Sequence, residues 1–339
     1  MEGNAIDSTD LILKKKSRGI SGSTIKLVAI VTMLIDHIAA ICLDNILIKR
    51  GLYTLDWSNS EAMNKFIAEN GLLYNIDTIM RSIGRLAFPL FCFLLVEGFL
   101  HTRSKWKYSL RLAAFALISE VPFDLAFHAK PFFWGYQSVY FTLLIGLLVL
   151  IGLKLISDVM KDKKYNIVFA VIGAILAGDF ALQFIKLYKR MFLGAFTNRA
   201  ISSLVSIIIV IIFSVIMLIV YAVMCKKKSF QSASILFTDL AIVFGGMQLA
   251  DLVRTDYGSY GVLTIAIMYI LCRNKVNSVL GGSITLTIMS YSEIPSLLNL
   301  ILIRFYNGER GLKLKYVFYL FYPVHLFLLY LICKFIKVI

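Results

Sequence analysis

His37 follows Asp36 and stands eleven residues after Lys26, inside the apolar run IKLVAIVTMLIDHIAA. A neutral imidazole can take the proton from an attacking amine or hydroxyl, or carry an acyl group itself. Eleven residues make about 1100° of helix, which returns Lys26 and His37 to within about 20° of one face, with a rise of about 16 Å between them. Asp36 lies about 100° around that helix from His37, so it points elsewhere and fits either a catalytic role or helix pairing. Further ionisable groups stand in other apolar runs: Arg81, Arg85 and Glu97, then Arg111, Glu120 and Asp124, then Asp251, Arg254 and Asp256 beside Tyr257, and finally His325 after Pro323. Arg81 with Arg85, and Glu120 with Asp124, are i,i+4 neighbours on a helix. Pro122 between the two acids frees a backbone carbonyl near them. Such a set could supply a base, carboxylates to hold an acceptor, and cations to stabilise an oxyanion. On this reading His37, Asp36, Arg85, Glu120, Asp124 and Asp251 are candidates for the chemistry. Arg81, Glu97, Arg254, Asp256, Tyr257 and His325 are candidates for holding a substrate.

The elements that position these groups are membrane helices. Hydrophobic residues make up 59% of the 339-residue chain and charged residues 16%, where a soluble domain has about half and a quarter. The stretch 200–224, AISSLVSIIIVIIFSVIMLIVYAVM, carries no charge, and about 20 apolar residues suffice to cross a bilayer. The pattern predicts an all-α, polytopic bundle of about ten transmembrane helices, near 24–43, 83–100, 108–127, 138–156, 166–187, 200–224, 234–252, 258–271, 276–303 and 316–333. The ninth is long and interrupted by SEIP, and reads as one tilted helix, a broken helix, or a short span with a re-entrant piece. Residues 1–23 form a polar, basic, cytoplasmic segment without a signal-peptide core, and 24–339 form one membrane domain.

The net charge of +15 sits in clusters at span ends, as in Lys14–Lys16 and Lys226–Lys228, which is the positive-inside pattern and places the N-terminus in the cytoplasm. Nucleic-acid binding does not fit, because no basic groove interleaved with aromatics occurs. The five cysteines are far apart, with no metal-ligand spacing and no disulfide framework, so no metal is expected. The loop 186–199 is basic yet falls outside by alternation, and 304–315 is basic too, which leaves the side of the C-terminus open.

A charge within a span costs roughly 2.5–3.5 kcal/mol on insertion, so these groups are expected to face an interior cavity. His37 lies about 20 Å along its helix, past the midplane. Arg85 begins the next span, while Glu120 with Asp124, and Asp251 with Arg254 and Asp256, end outward-running spans. All fall at one level, which predicts a polar cavity in the outer half of the membrane. The same residues have plainer uses: interior ion pairs for Arg81, Arg85, Glu97, Glu120 and Asp124, a buried hydrogen-bonded histidine for His37, a helix kink for Pro323 beside His325, and positive-inside anchors for Lys26 and the basic loops.

The motifs IKLVAIVTMLIDHIAA, RSIGRLAFPLFCFLLVEGFLHT, LRLAAFALISEVPFDLAF, ADLVRTDYGSYGVL and YNGERG…KYVFYLFYPVHLFLLYLI occur in the order in which they resemble the TraX family, over roughly 23–128 and 247–332. The resemblance implies a membrane acetyltransferase of the wider transmembrane acyltransferase group, whose best-known TraX activity is N-acetylation of a pilin amino terminus. Lys26-x10-His37 fits that group's basic residue and histidine on the first helix. It implies cytoplasmic acetyl-CoA as donor, with Lys26, Arg103, Lys105 and Arg111 toward its phosphates, and an extracytoplasmic peptide amine as acceptor. Acetylation of a cell-envelope glycan is the alternative acceptor chemistry, and a proton-coupled transporter is the alternative class. This chain departs from the pilin-modifying pattern by an outer insertion around 44–78.

Overall fold

Backbone in hydrocarbon has no water to bond, so each apolar run has to close its own hydrogen bonds, which helices do. The computed structural model describes residues 19–56, 58–159, 167–188, 203–312 and 315–339, and among these the chain is all-helical apart from two isolated bridges. The helices are α1 (Gly22–Ile38), α2 (Asp44–Lys49), α3 (Ser60–Gly84), α4 (Ala87–His101), α5 (Lys105–His128), α6 (Val139–Val159), α7 (Ile167–Tyr188), α8 (Ser203–Lys227), α9 (Phe230–Val253), α10 (Gly258–Ile270), α11 (Lys275–Met289), α12 (Asn299–Arg304) and α13 (Lys315–Phe335).

Six helical stretches among the described residues are long and apolar enough to cross a membrane: Gly22–Lys49, Ser60–His101, Val139–Ile156, Leu204–Lys227, Phe230–Val253 and Val317–Phe335. Val171–Leu182 and Gly258–Ile270 are shorter apolar helices. The expected number of about ten counted α5, which carries Lys105, Lys107, Arg111, Glu120 and Asp124 and is too charged to meet that measure. It also counted 276–303 as a span. That stretch, for which a tilted helix, a broken helix and a short span with a re-entrant piece were open readings, is broken: it forms α11, a 3-10 turn over Tyr291–Leu298, and α12. Ser283 at the middle of α11 donates to the Ser296 carbonyl at 3.2 Å. The Lys275 ammonium at the start of α11 lies 4.2 Å over the ring of Tyr306, just past the end of α12. The chain therefore folds back on itself, and Pro295 in the turn suits a tight bend.

The stretch 44–82 between the first two expected spans, which includes the outer insertion around 44–78, is largely helix among its described residues. A single π-turn, Ala39–Leu43, carries α1 into α2, and the Asn45 side chain donates to the Ile41 carbonyl within it at 2.8 Å. Asn59 starts α3 by accepting from the backbone N–H groups of Glu61 and Ala62. α3 returns antiparallel to α1 and α2, with Arg50 bonded to Asn70 at 2.9 Å and Arg81 to Asp36 at 2.8 Å. α13 runs parallel to α1: His325 meets His37, Cys333 lies 2.8 Å from Cys42, and Lys49 donates to the Lys337 carbonyl.

The core is built where small residues let helices close up, as in membrane bundles. Added methyl groups at Gly146 on α6 and Gly246 on α9 would lie 2.3 Å from Ile265 and 2.2 Å from Val149. Phe93, Phe99, Leu147, Leu150, Met247 and Ile265 fill the centre. The junction of α3 and α4 is equally close to α1, since a methyl at Gly84 would lie 2.2 Å from the Asp36 carboxylate. Gly84→Ala is expected to push Asp36 away from Arg81 and destabilise the fold by about 1–3 kcal/mol, read as a lower midpoint of thermal unfolding in detergent. An unchanged midpoint would show that the junction relaxes without cost.

Candidate functional site

Three helices and two loops converge on a cavity of about 270 Å³ around His37. α1 contributes Asp36 and His37, and the α3–α4 region contributes Arg81 and Arg85. α5 contributes Phe123, Phe127 and His128, the following loop Tyr136, and the turn between α9 and α10 Asp256 and Tyr257. Two ion pairs organise it: Arg81–Asp36 at 2.8 Å and Arg85–Glu293 at 2.9 Å. Glu293 comes from the 3-10 turn and is 1% exposed, so the fold-back of α11 delivers a carboxylate that Arg85 neutralises. Asp256 accepts instead from the Tyr136 hydroxyl at 2.7 Å and the Tyr257 backbone N–H at 3.0 Å. Tyr257 stacks on Phe88 with ring centres 3.7 Å apart. The His37 ring meets Phe127 and Tyr322 edge-on at 5.7 and 5.9 Å, and its Nδ1 lies 2.7 Å from His325 Nε2.

Six of the expected site residues thus line one cavity: Asp36, His37, Arg81, Arg85, Asp256 and Tyr257. His325 reaches it through His37. Glu120, Asp124, Asp251 and Arg254 stand behind it and hold its loops. Asp124 accepts from the Phe133 N–H at 2.7 Å and Glu120 from the Ser138 N–H at 3.3 Å, fixing the middle and the far end of the α5–α6 loop. Asp251 accepts from the Ser259 N–H at 2.7 Å, in the first turn of α10. Arg254 is in the left-handed region (φ 60°), and its carbonyl accepts from Gln137 N–H at 3.0 Å, docking the two loops together. Their side chains do not line the cavity. Glu293, Tyr136, His128 and Tyr322 were not anticipated. Glu293 could have been, as an acid inside a stretch read as a span; nothing in the sequence pattern singles out the other three.

A second cavity, of about 600 Å³, opens toward the start of α1. It is lined by Lys26, Arg103, Arg111 and Arg310, with Glu97 as the acid among them and the exposed His101 3.9 Å from Glu97. Arg310 is brought there by the loop that caps α1, where Gly22 and Ser23 N–H donate to the Glu309 and Arg310 carbonyls at 2.7 and 3.0 Å. Lys105 is not among the lining residues, because its ammonium donates to the carbonyls of Phe99 and Thr102. Glu97, expected with the substrate residues near His37, belongs to this second cavity, where it accepts from the Tyr306 hydroxyl at 3.2 Å. Four cations against one carboxylate suit a polyanionic ligand.

Two buried tyrosines separate the cavities. Tyr140 lines the second and packs edge-on against Tyr322, ring centres 5.0 Å apart, and Tyr322 in turn touches His37. Pro323 has no N–H for the Tyr319 carbonyl one turn back; the Tyr140 hydroxyl donates to that carbonyl at 3.3 Å. Among the described residues no group of three His, Cys, Asp or Glu side chains could hold a metal ion.

A family model described as TraX protein matches residues 21–235 and 208–333. A curated relative, the "Probable fimbrial assembly protein FimC, serogroup H1" of Dichelobacter nodosus, is 30% identical over 175 residues, which is 49% of this chain and 60% of that protein. The chain therefore spans less than two thirds of that relative's length. No solved structure matches.

The Arg85–Glu293 pair is the contact around His37 most open to direct measurement. Arg85→Gln leaves Glu293 buried without its counter-charge and is expected to destabilise the protein by about 3–5 kcal/mol. Adding Glu293→Gln should recover much of that loss in detergent unfolding. A double variant no more stable than Arg85→Gln alone would mean that the pair is not coupled.

Proposed function

The chain belongs to the TraX family, and from that premise we propose that it is a membrane-embedded acetyltransferase that uses acetyl-CoA to modify an amine on an extracytoplasmic peptide. The observation that carries this reading is the pair of cavities on opposite sides of the Tyr140–Tyr322 contact, with one helix, α1, supplying Lys26 to one and His37 to the other. With the basic N-terminal segment in the cytoplasm, the Lys26 cavity opens inward and the His37 cavity outward. About 600 Å³ is within the range of small-molecule sites, whereas about 270 Å³ is below it. The first accommodates a large donor. The second takes only the reacting end of an acceptor.

The donor end follows from charge. Lys26, Arg103, Arg111 and Arg310 would hold the phosphates of CoA, the two-donor forks of the arginines matching phosphate oxygens. Tyr108, Tyr140, Tyr306 and Tyr319 line the same cavity and would contact its less polar parts. The thioester then has to pass the tyrosine pair to come level with His37. There the acceptor nitrogen attacks the thioester carbonyl while His37 takes its proton. The C–S bond breaks, and the proton passes from His37 to the CoA sulfur. Arg85, whose guanidinium has donors beyond the one bonded to Glu293, stabilises the tetrahedral oxyanion. Asp256, a carboxylate held by the Tyr136 hydroxyl and the Tyr257 N–H rather than by an ion pair, would orient the incoming amine.

The family's association with pilin and the fimbrial-assembly name of the Dichelobacter nodosus relative favour the amino terminus of a surface-fibre subunit as acceptor. A sugar acceptor is the second reading, favoured by the aromatic faces of Phe123, Phe127, Tyr136 and Tyr257 around the cavity, against which a pyranose ring could stack.

Purified protein in nanodiscs, given labelled acetyl-CoA and an acceptor peptide, is expected to form acetyl-peptide, and His37→Ala to slow it by about 10²-fold or more. Equal rates for the two proteins would remove His37 from the chemistry. Arg111→Ala and Arg310→Ala are each expected to raise KM for acetyl-CoA about tenfold, equivalent to about 1.4 kcal/mol of lost binding, with a smaller change in kcat. A KM that does not respond to either would place CoA elsewhere.

A further inference from the structure

Beside the residues that face the His37 cavity, one buried group is arranged to act on His37 without touching a substrate. His325, on α13, is 5% exposed. Its Nε2 lies 2.7 Å from His37 Nδ1, and its Nδ1 lies 2.7 Å from the Phe321 carbonyl oxygen one turn back on α13. The two imidazole planes differ by 5° with centres 4.9 Å apart. Each ring nitrogen sits about 1 Å from its ring centre, so a 2.7 Å bond between coplanar rings meeting edge to edge gives this separation; a face-to-face stack does not. In-plane contact is the geometry in which an N–H on one ring points at the lone pair of the other.

The proton positions then follow in order. A carbonyl oxygen can only accept, so His325 Nδ1 carries the hydrogen it donates to Phe321. A neutral imidazole has one N–H, which leaves His325 Nε2 as a lone pair. The hydrogen between the rings therefore belongs to His37 Nδ1, and His37 Nε2 is the unprotonated nitrogen. We infer that His325 is a positioning residue that holds His37 in its Nδ1–H tautomer, leaving Nε2 free to take the acceptor's proton. The kinetic part of this inference rests on the acetyltransferase reading; the tautomer itself does not.

Other features agree with the assignment. Asp36, next to His37 in the chain, is bonded to Arg81 and not to His37. Phe321 stacks on His325 with centres 4.7 Å apart, and Phe127 and Tyr322 pack edge-on against His37, so both rings are confined. The same two stretches of chain are joined again further along, between Cys42, just past α1, and Cys333, and between Lys49 on α2 and the Lys337 carbonyl just past α13. A carboxylate would orient an imidazole as well, but this region already holds three, with Asp36 and Glu293 paired to Arg81 and Arg85 and Asp256 bonded by Tyr136 and the Tyr257 N–H. A neutral orienter adds no fourth negative charge. When His37 takes a proton, its Nδ1–H bond to His325 becomes charge-assisted and strengthens, which favours the protonated state formed during attack.

The sequence has four histidines, so ¹⁵N NMR of histidine-labelled full-length protein in nanodiscs can resolve His37, identified by its loss in His37→Gln. The expected spectrum shows His37 protonated on Nδ1 and bare on Nε2. The labelled-acetyl assay supplies the second arm. His325→Leu, which offers no acceptor, is expected to lower kcat by about 10²-fold with KM for acetyl-CoA within twofold, and to shift His37 toward the other tautomer. His325→Gln, whose amide oxygen can accept from His37 Nδ1, is expected to keep kcat within about tenfold of wild type. A wild-type His37 protonated on Nε2 would overturn the inference, even if His325→Leu fails to fold. So would a folded His325→Leu with unaltered kcat and tautomer. Wild-type protein that transfers no acetyl refutes the enzyme reading alone, since the NMR result still decides the tautomer; loss of transfer in His37→Ala but not in His325→Leu keeps that reading and removes this inference.

Discussion

Charge buried among membrane helices has to be matched by opposite charge, and that requirement shapes this protein from α1 to α12. Arg81 and Arg85, on consecutive turns, draw in carboxylates from different directions: Asp36 from α1 and Glu293 from the 3-10 turn beyond α11. Removing either partner would leave an uncompensated charge, which costs several kcal/mol, whereas the pair together roughly balances its own desolvation. The fold-back of α11 and α12 makes sense in these terms. An uninterrupted helix over 276–303 would carry Glu293 on through the bundle. A bend at Ser290–Leu298 holds it against Arg85, while Asn299 donates to the Leu86 carbonyl at 3.0 Å and ties the bend to the α3–α4 junction.

Once the pairs are in place, the neighbouring groups acquire distinct environments. His37 has aromatic rings on two sides and another imidazole on its Nδ1 side. Asp256 is bonded by a hydroxyl and a backbone N–H. The cationic cavity near Lys26 is kept apart by Tyr140 and Tyr322, and the carbonyl left by Pro323 fixes the first of these tyrosines in position. One helix therefore serves two compartments of opposite character. The eleven-residue spacing of Lys26 and His37 corresponds to about 16 Å of rise, roughly half of the hydrocarbon thickness.

Much of this is legible in the sequence, for a definite reason. Helical rise converts residue number into depth, so the common level of Asp36, His37, Arg85 and Asp256 could be worked out before any coordinates. Depth alone does not say which way a side chain turns around its helix. Glu120, Asp124 and Asp251 lie at the right level yet turn toward backbone N–H groups of Ser138, Phe133 and Ser259. Short carboxylates beside loop ends satisfy such donors readily. Glu97 illustrates the other error: it sits ten residues beyond Ala87, near the opposite end of α4, and so belongs with Lys26. The partnership of His37 with His325 spans 288 positions, and no local pattern encodes it. The long α3 was hidden because its polar residues read as loop, although Asn59 followed by Glu61 is a helix-start signal.

The central claim is our proposal that α1 serves two cavities, divided by Tyr140 and Tyr322, that open to opposite sides of the membrane. The most direct test is labelling in sealed, right-side-out vesicles from a cysteine-free background, with Arg103→Cys and Tyr136→Cys introduced one at a time and a charged, membrane-impermeant maleimide as the probe. Tyr136→Cys is expected to react in intact vesicles, and Arg103→Cys only after the membrane is opened. Reaction of both positions from the same side would contradict the two-sided arrangement.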